Sequence, residues 1–143
     1  MLSLDTAKRL KDAGLTWTPA EHDFFYVPIE GLDERVFVIS DMSIMIEQMS
    51  GVEAVTFNGT AEWALDYLLL AEAVWVPTES QLRAELEKRL VVRAEVQPLL
   101  SLLTTADGYV CEIRMGEQLM RFEAFGANEA YGAALLHVMQ VAD

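Results

Sequence analysis

Apolar residues along the chain follow two different spacings, and each spacing predicts one kind of secondary structure. Alternation of apolar and polar residues predicts strands with one buried face, whereas apolar residues three to four positions apart predict amphipathic helices. Leu82, Leu86 and Leu90 have charged residues between them and predict a helix from about 79 to 90. Thr78 precedes this helix as a candidate N-terminal cap.

Segments near both ends of the chain also predict helices. Residues 3–13 predict a first helix, with Ser3 or Asp5 as its N-terminal cap and Gly14 directly after its end. Asn128 is predicted to cap a last helix. The apolar side of that last helix consists of Tyr131, Ala134, Leu135, Val138 and Ala142.

A further helix is predicted over residues 60–71, within the stretch FNGTAEWALDYLLLAEAVWVP. Only Glu62, Asp66 and Glu72 are charged in this stretch. A helix that is apolar nearly all round is typically covered nearly all round. We therefore expect this segment to be the central buried helix, with Glu62 and Asp66 at its one wet edge.

Short runs rich in β-branched and aromatic residues predict the strands. In the first half of the chain, short turns between these runs predict an antiparallel meander of strands near 24–28, 35–40, 43–49 and 52–57. A further extended segment is expected at 73–77. In the last third, two tight turns predict a three-strand hairpin unit with strands near 99–105, 109–115 and 118–125.

The order of these elements predicts the fold class. Runs of strands and runs of helices follow one another without strict strand–helix–strand alternation, which is typical of α+β proteins. We expect an antiparallel sheet, made of the N-terminal meander and the C-terminal hairpin unit, packed by about four helices. The length of the chain favours a single domain over residues 1–143.

Composition and charge narrow the classes of partner. The chain has 143 residues, of which 52% are hydrophobic, and a net charge of −13. Binding to nucleic acid or to an anionic membrane depends on clustered Lys and Arg, so neither is an expected partner. No apolar run is long enough to predict a membrane-spanning helix. The N-terminus lacks the layout of a signal peptide and the chain has one cysteine, which together predict a cytoplasmic location.

Sequence motifs for several kinds of catalysis are absent. The chain contains no G-x-x-x-x-G-K-[ST], G-x-G-x-x-G, G-x-S-x-G or H-E-x-x-H pattern. One cysteine and two histidines are too few for a closed structural zinc site. We therefore expect no metal and no cofactor, and favour a role without catalysis. Cys111 is predicted to face inward from a strand, and His137 is predicted to lie on the surface of the last helix.

Another set of residues could form a ligand pocket. Glu62 and Asp66 are four residues apart and would point the same way from one helix, where paired carboxylates can act as acid and base. His22 lies in a predicted loop between Glu21 and Asp23, where it could serve as a base or a ligand. Tryptophans could line the walls of such a pocket, namely Trp17, Trp63 and Trp75. The same residues equally suit an ordinary core and a solvated loop.

Several stretches together resemble a family of short, uncharacterised bacterial proteins, some of which carry a pilus-assembly label. These stretches are AKRLKDAGLTWTP, VFVISDM, FNGTAEWALD, VWVPTESQL and EAYGAALLHVM, and they occur in order over nearly the whole chain. The resemblance implies a bacterial, cytoplasmic, single-domain protein and supplies no catalytic residues. The label itself belongs to an ATPase-related protein, which would need the phosphate-binding loop that this chain lacks.

Two hypotheses about function remain open at this point. The first is a small acidic α+β protein that binds another protein without catalysis and forms a homodimer. The second is a small-molecule-binding or hydrolytic protein with a pocket between helix 60–71 and the sheet. A flat apolar surface at a two-fold axis would favour the first, and a concave site with converging carboxylates would favour the second.

Overall fold

The fold was analysed in a computed structural model that describes residues 1–39, 44–49, 51–57, 67–93 and 95–141. The chain forms two compact units. One unit contains residues 1–15 and 77–143, and the other contains residues 16–76. The described part has an α+β fold with three antiparallel three-stranded sheets and three α-helices.

The first unit begins with helix α1, Leu4–Asp12, whose two ends are capped as the sequence predicts. The Ser3 side chain accepts a hydrogen bond from the Thr6 amide at 3.2 Å, which satisfies one of the free N–H groups of the first turn. Gly14 follows the helix with a φ of 106°, a conformation that favours glycine. The predicted first helix is therefore confirmed, with its ends shifted by one residue.

Helix α2, Glu79–Arg93, has the amphipathic pattern that its leucines predict. Leu82, Leu86 and Leu90 are all buried. The Gln81 amide donates to the Thr78 hydroxyl at 3.3 Å, and the Thr78 amide donates to the Gln81 side chain at 2.9 Å. This reciprocal pair is a capping box, and it fixes where the helix begins.

The sheet of the first unit has the order β7–β8–β9, formed by Leu99–Thr105, Gly108–Met115 and Gln118–Ala124. Cys111 lies opposite Leu102 on one side and Phe122 on the other. The three predicted strands and both turns are confirmed. Alternating apolar residues in β8 and β9 specify which face of those strands is buried.

Helix α3, Ala127–Gln140, contacts β8, β9 and both other helices of this unit. The core of the unit consists of Leu2, Ala7, Leu10, Leu82, Leu86, Leu90, Cys111, Ile113, Ala130, Tyr131, Ala134, Leu135 and Val138. Glu129 ties α1 to α3, since its carboxylate accepts from the Ser3 amide at 2.6 Å and from the Thr6 hydroxyl at 2.8 Å.

The second unit contains two small sheets. In one, β1 (Phe24–Tyr26) lies between β2 (Phe37–Val38) and β6 (Val74–Val76). In the other, β4 (Val52–Phe57) lies between β3 (Ile44–Met49) and β5 (Tyr67–Leu69). A core cluster is formed by Phe25, Val27, Phe37, Ile39 and Ala73. The predicted continuous meander is divided in the described residues, because β1 pairs with β2 in one sheet and β3 pairs with β4 in the other.

The predicted helix 60–71 is wrong where the structure describes it. Tyr67–Leu69 is a strand paired with residues 54–56 of β4, and Leu70–Glu72 is a single 3₁₀ turn. The apolar run YLLL has no helical period, and a short apolar run fits a buried strand as well as a helix. Residues 58–66, which include the first part of the predicted helix, lie outside the described residues.

Two smaller predictions also need correction. Helix α3 begins one residue before Asn128, its N-terminal cap is Gly126, and that cap makes no side-chain hydrogen bond. The sequence predicts about four helices, whereas the described part contains three α-helices and one 3₁₀ turn.

Cys111 allows a test of this packing through pH. Burial, together with the neighbouring Glu112 carboxylate, raises the pKa of the Cys111 thiol to about 11. The unfolded chain ionises the same thiol at its ordinary pKa, near 9.0. The stability that this thiol contributes is therefore fully present below pH 9 and is lost as the pH rises toward 11, by up to about 1.4 kcal/mol per pH unit.

Urea unfolding of the wild type and Cys111→Ala between pH 8 and 11 measures this effect. The wild type should lose more stability than the variant over that range, because the variant has no thiol to ionise. Native thiol labelling should also be slow and should accelerate on unfolding. Parallel stability curves for the two proteins, or rapid native labelling, would contradict the burial of Cys111.

Candidate functional site

Two of the tryptophans predicted to line a pocket lie against each other in the second unit. The rings of Trp17 and Trp75 are stacked, with centroids 6.5 Å apart and an interplanar angle of 7°. Trp17 also packs against Phe25, with ring centroids 5.7 Å apart. This arrangement is typical of a hydrophobic core, since Trp17 is half-buried against the cluster that contains Phe25 and Phe37. We call the stacked pair of Trp17 and Trp75 the tryptophan wall.

Asp23 is the buried carboxylate that holds this wall in place. It is 6% exposed and accepts from the Trp17 indole N–H at 2.9 Å and from the Ala20 amide at 3.0 Å. Its backbone also pairs with Ile39, whose amide donates to the Asp23 carbonyl at 2.9 Å. The loop before β1 is therefore ordered by a hydrogen-bonded carboxylate, which sequence reasoning mentioned only as a neighbour of His22.

The side chain of His22 points into solvent. It is 80% exposed, and its Nε2 lies 3.8 Å from a carboxylate oxygen of Glu21. The backbone of His22 has a φ of 75°, which is uncommon for a residue with a side chain, and its amide donates to the Ile39 carbonyl at 2.8 Å. The backbone is thus fixed while the imidazole stays solvated, as the loop interpretation predicts.

The other three predicted pocket residues, Glu62, Trp63 and Asp66, lie outside the described residues. The wall that helix 60–71 was expected to provide is a strand and a 3₁₀ turn from Tyr67 onward. The indole N–H of Trp75 is buried and has no hydrogen-bond partner in the part of the chain that the structure describes.

The remaining titratable candidates are used in packing. Cys111 lies at the centre of the sheet and is fully covered. His137 of α3, which is predicted to lie on the helix surface, is half-buried, and its ring packs against Phe122 with centroids 5.4 Å apart. The contact between His137 and Phe122 also shows which face of the sheet α3 covers.

The opposite face of the β7–β8–β9 sheet is the surface that sequence reasoning missed. We call it the outer face, and its side chains are Leu99, Ser101 and Leu103 of β7, Val110, Glu112 and Arg114 of β8, and Leu119, Arg121 and Glu123 of β9. Val110 is buried on this face, at 2% exposure. Leu99, Leu103 and Leu119 are 58%, 43% and 40% exposed. The sequence signal was available in LLSLLTT, where leucines occur at both odd and even positions of one strand.

Charged groups of both signs lie between these leucines. Arg121 contacts Glu112 at 3.1 Å and Glu123 at 4.0 Å. Arg114 lies between Leu99 and Leu119 in the row across the three strands. The outer face thus has two basic and two acidic residues, although the whole chain carries a net charge of −13.

Two open cavities adjoin this unit. One, of about 340 Å³, lies beside the β7–β8 turn and is lined by Thr105, Asp107, Tyr109, Val110, Glu123, Ala124 and Phe125. The other, of about 320 Å³, lies at the start of α2 and is lined by Thr78, Glu79, Ser80, Arg83 and Tyr131. Burial raises the pKa of the Tyr131 hydroxyl above its ordinary value. Neither lining contains a nucleophile paired with a histidine base.

The described residues contain no group of three or more His, Cys, Asp or Glu side chains placed to hold a metal ion. None of their helices is both long and apolar enough to cross a bilayer. Comparisons of the chain with protein-family models, with curated proteins and with solved structures find no match.

Asp23→Ala tests whether this carboxylate organises the tryptophan wall. The substitution removes two part-buried hydrogen bonds, from the Trp17 indole and from the Ala20 amide, and each such bond contributes about 0.5–1.5 kcal/mol. We expect the urea midpoint to fall accordingly. Glu21→Ala is the matched control, because Glu21 is an exposed carboxylate in the same loop and should change stability by less than about 0.5 kcal/mol. Equal effects of the two substitutions would show that Asp23 has no special role.

Proposed function

We propose that this protein works by binding another protein, without catalysis and as a homodimer, and that the outer face is its binding surface. The exposure of Leu99, Leu103 and Leu119 on that face is the observation that carries the proposal. Antiparallel sheets that leave one face in water normally place polar residues there. Exposed leucines with charged residues between them give this face the mixed apolar and polar character of a protein-interaction surface.

The chemistry of the candidate residues supports a role in binding. The Cys111 thiol is buried and protonated at neutral pH, and His137 packs on an aromatic ring. The charge of the chain favours a protein partner over nucleic acid, because −13 repels phosphate. We further propose a bacterial cytoplasmic setting, which the resemblance to the family of short bacterial proteins and the presence of one cysteine support.

The outer face can be tested by affinity capture from a bacterial lysate with matched variants. Leu119→Ser removes an exposed leucine from the outer face, and we expect the protein recovered with the wild type to be lost or reduced about tenfold. Val92→Ser is the control, since Val92 is an exposed apolar residue on α2 and not on the sheet. Recovery of the same protein in equal amounts with all three baits would argue against the outer face as the binding surface.

A second candidate function is favoured by one observation, the buried and unpartnered indole N–H of Trp75 in the described part of the chain. A small ligand with an acceptor atom beside Trp75 and Trp17 would satisfy that donor. Under this alternative the protein binds or hydrolyses a small molecule, and His22, Glu62 and Asp66 supply polar groups.

Native mass spectrometry of the purified protein separates the two functions. If a ligand occupies this region, the wild type should carry a non-covalent adduct that Trp75→Phe lacks, because phenylalanine has no N–H to donate. Under the protein-binding proposal both proteins should have the bare chain mass per subunit. An adduct on the wild type that disappears from the variant would favour the small-molecule function.

A further inference from the structure

Among the residues that the structure describes, β7 is an edge strand of its sheet, and its composition is unusual for an edge. Its seven residues, Leu99–Thr105, contain no charged side chain and no proline, and five of the seven are exposed. Proteins commonly protect exposed edges with charged residues, proline or bulges, because the free backbone groups of an edge can pair with another chain. The other edge, β9, has such protection in Arg121 and Glu123. The two edges of the sheet therefore differ in their readiness to pair.

The turn after β7 indicates which backbone groups are free. Ala106 and Asp107 form a two-residue turn, and Thr105 pairs with Gly108 directly across it. Residues that flank a two-residue turn exchange hydrogen bonds, and this pattern alternates along an antiparallel pair. The N–H and C=O groups of Leu100, Leu102 and Thr104 therefore point away from β8, along the open edge.

We propose that β7 pairs antiparallel with β7 of a second copy of the chain, about a two-fold axis at Leu102, to make a six-stranded sheet. This inference rests on the proposed function, because it specifies the contact that makes the homodimer. The three residues whose backbone groups point along the open edge are placed symmetrically about Leu102. Leu100 pairs with Thr104 of the partner subunit, Leu102 pairs with Leu102 of the partner subunit, and every outward N–H and C=O finds a partner.

This register also places the outer faces of the two sheets on the same side. Residues directly opposite each other in an antiparallel pair lie on the same side of the sheet. In this register Ser101 lies opposite Leu103 of the partner subunit, and both belong to the outer face. The helix-covered faces then lie on one side of the six strands, and the outer faces form one continuous surface on the other.

Charge explains why a second copy of this chain suits the edge. Two copies that each carry −13 repel one another unless they meet where charge is absent or complementary, and β7 has no charge. In the proposed register the Leu99 end of one strand meets the Thr105 end of the other. Arg114 lies beside Leu99, and Asp107 follows Thr105, so opposite charges are brought toward each other at both ends of the contact.

Two leucines on the same face give a matched test. Leu103 lies on β7 and Leu119 on β9, and their exposed fractions are nearly equal at 43% and 40%. Light scattering coupled to gel filtration should give the wild type a mass of twice 16.0 kDa. Leu103→Lys should weaken the dimer about tenfold or more, because it places two like charges near the two-fold axis. Leu119→Lys should leave the dimer within about twofold of the wild type.

The register is tested by mixing two further variants. In the proposed pairing, Ser101→Lys in one copy lies directly opposite Leu103→Glu in the other, so the mixture should form a heterodimer more tightly than either variant forms a homodimer. Native mass spectrometry distinguishes the heterodimer from both homodimers. A statistical mixture of the three dimers would overturn this register. Circular dichroism checks that every variant is folded, and Ser101→Lys alone provides a second edge variant if Leu103→Lys unfolds.

The outcomes separate this inference from the proposed function. A wild type that stays monomeric at high micromolar concentration overturns the β7 dimer, while capture of a partner that depends on Leu119 would still support protein binding. A dimer that Leu119→Lys weakens as much as Leu103→Lys places the contact on the outer face instead of the edge, and it overturns the proposed pairing as well. A dimer sensitive to Leu103→Lys alone supports it.

Discussion

The packing of α3 against the Cys111 side of the sheet is the contact on which the rest of the C-terminal unit depends. Helix α3 contacts α1, α2, β8 and β9, so it covers one face of the sheet and joins it to both other helices. The close approach of α3 to α1 and to the residues before it requires a small residue on α3. A Cβ atom on Gly132 would lie only 3.0 Å from Leu2 Cδ1 and 3.1 Å from Thr6 Cγ2. Because α3 covers this one face, the exposed leucines lie on the other face of the sheet.

Sequence patterns predicted this unit well because local signals and long-range packing agree there. Helix α2 has both its capping box and its leucine spacing, and the strand pair around Cys111 has alternating apolar residues between short turns. Local sequence and long-range packing disagree in YLLLAE. This apolar run has no helical or strand period, and its pairing with β4 makes its first three residues a strand. Asn128 failed for a related reason, since a favourable capping residue does not fix the first residue of a helix.

The candidate site was less predictable than the fold. Trp17 and Trp75, which could line a pocket or belong to a core, stack on each other, and the carboxylate that orients Trp17 is Asp23, which is adjacent to the predicted His22. The outer face and the free edge depend on strand order, and alternation within one strand does not reveal which strand lies at the edge of a sheet. The double-sided leucine pattern of β7 was the one local signal of its exposure.

The charge of the outer face differs from the charge of the chain as a whole. The chain has ten basic and 23 acidic residues, and two of the basic residues, Arg114 and Arg121, lie on the outer face with two acidic ones. That face and strand β7 are therefore locally neutral regions on a strongly negative molecule. Repulsion between like-charged molecules disfavours most other approaches and orients an encounter toward these regions. An excess of acidic residues elsewhere can then raise specificity, because it leaves few surfaces on which a second acidic copy can dock.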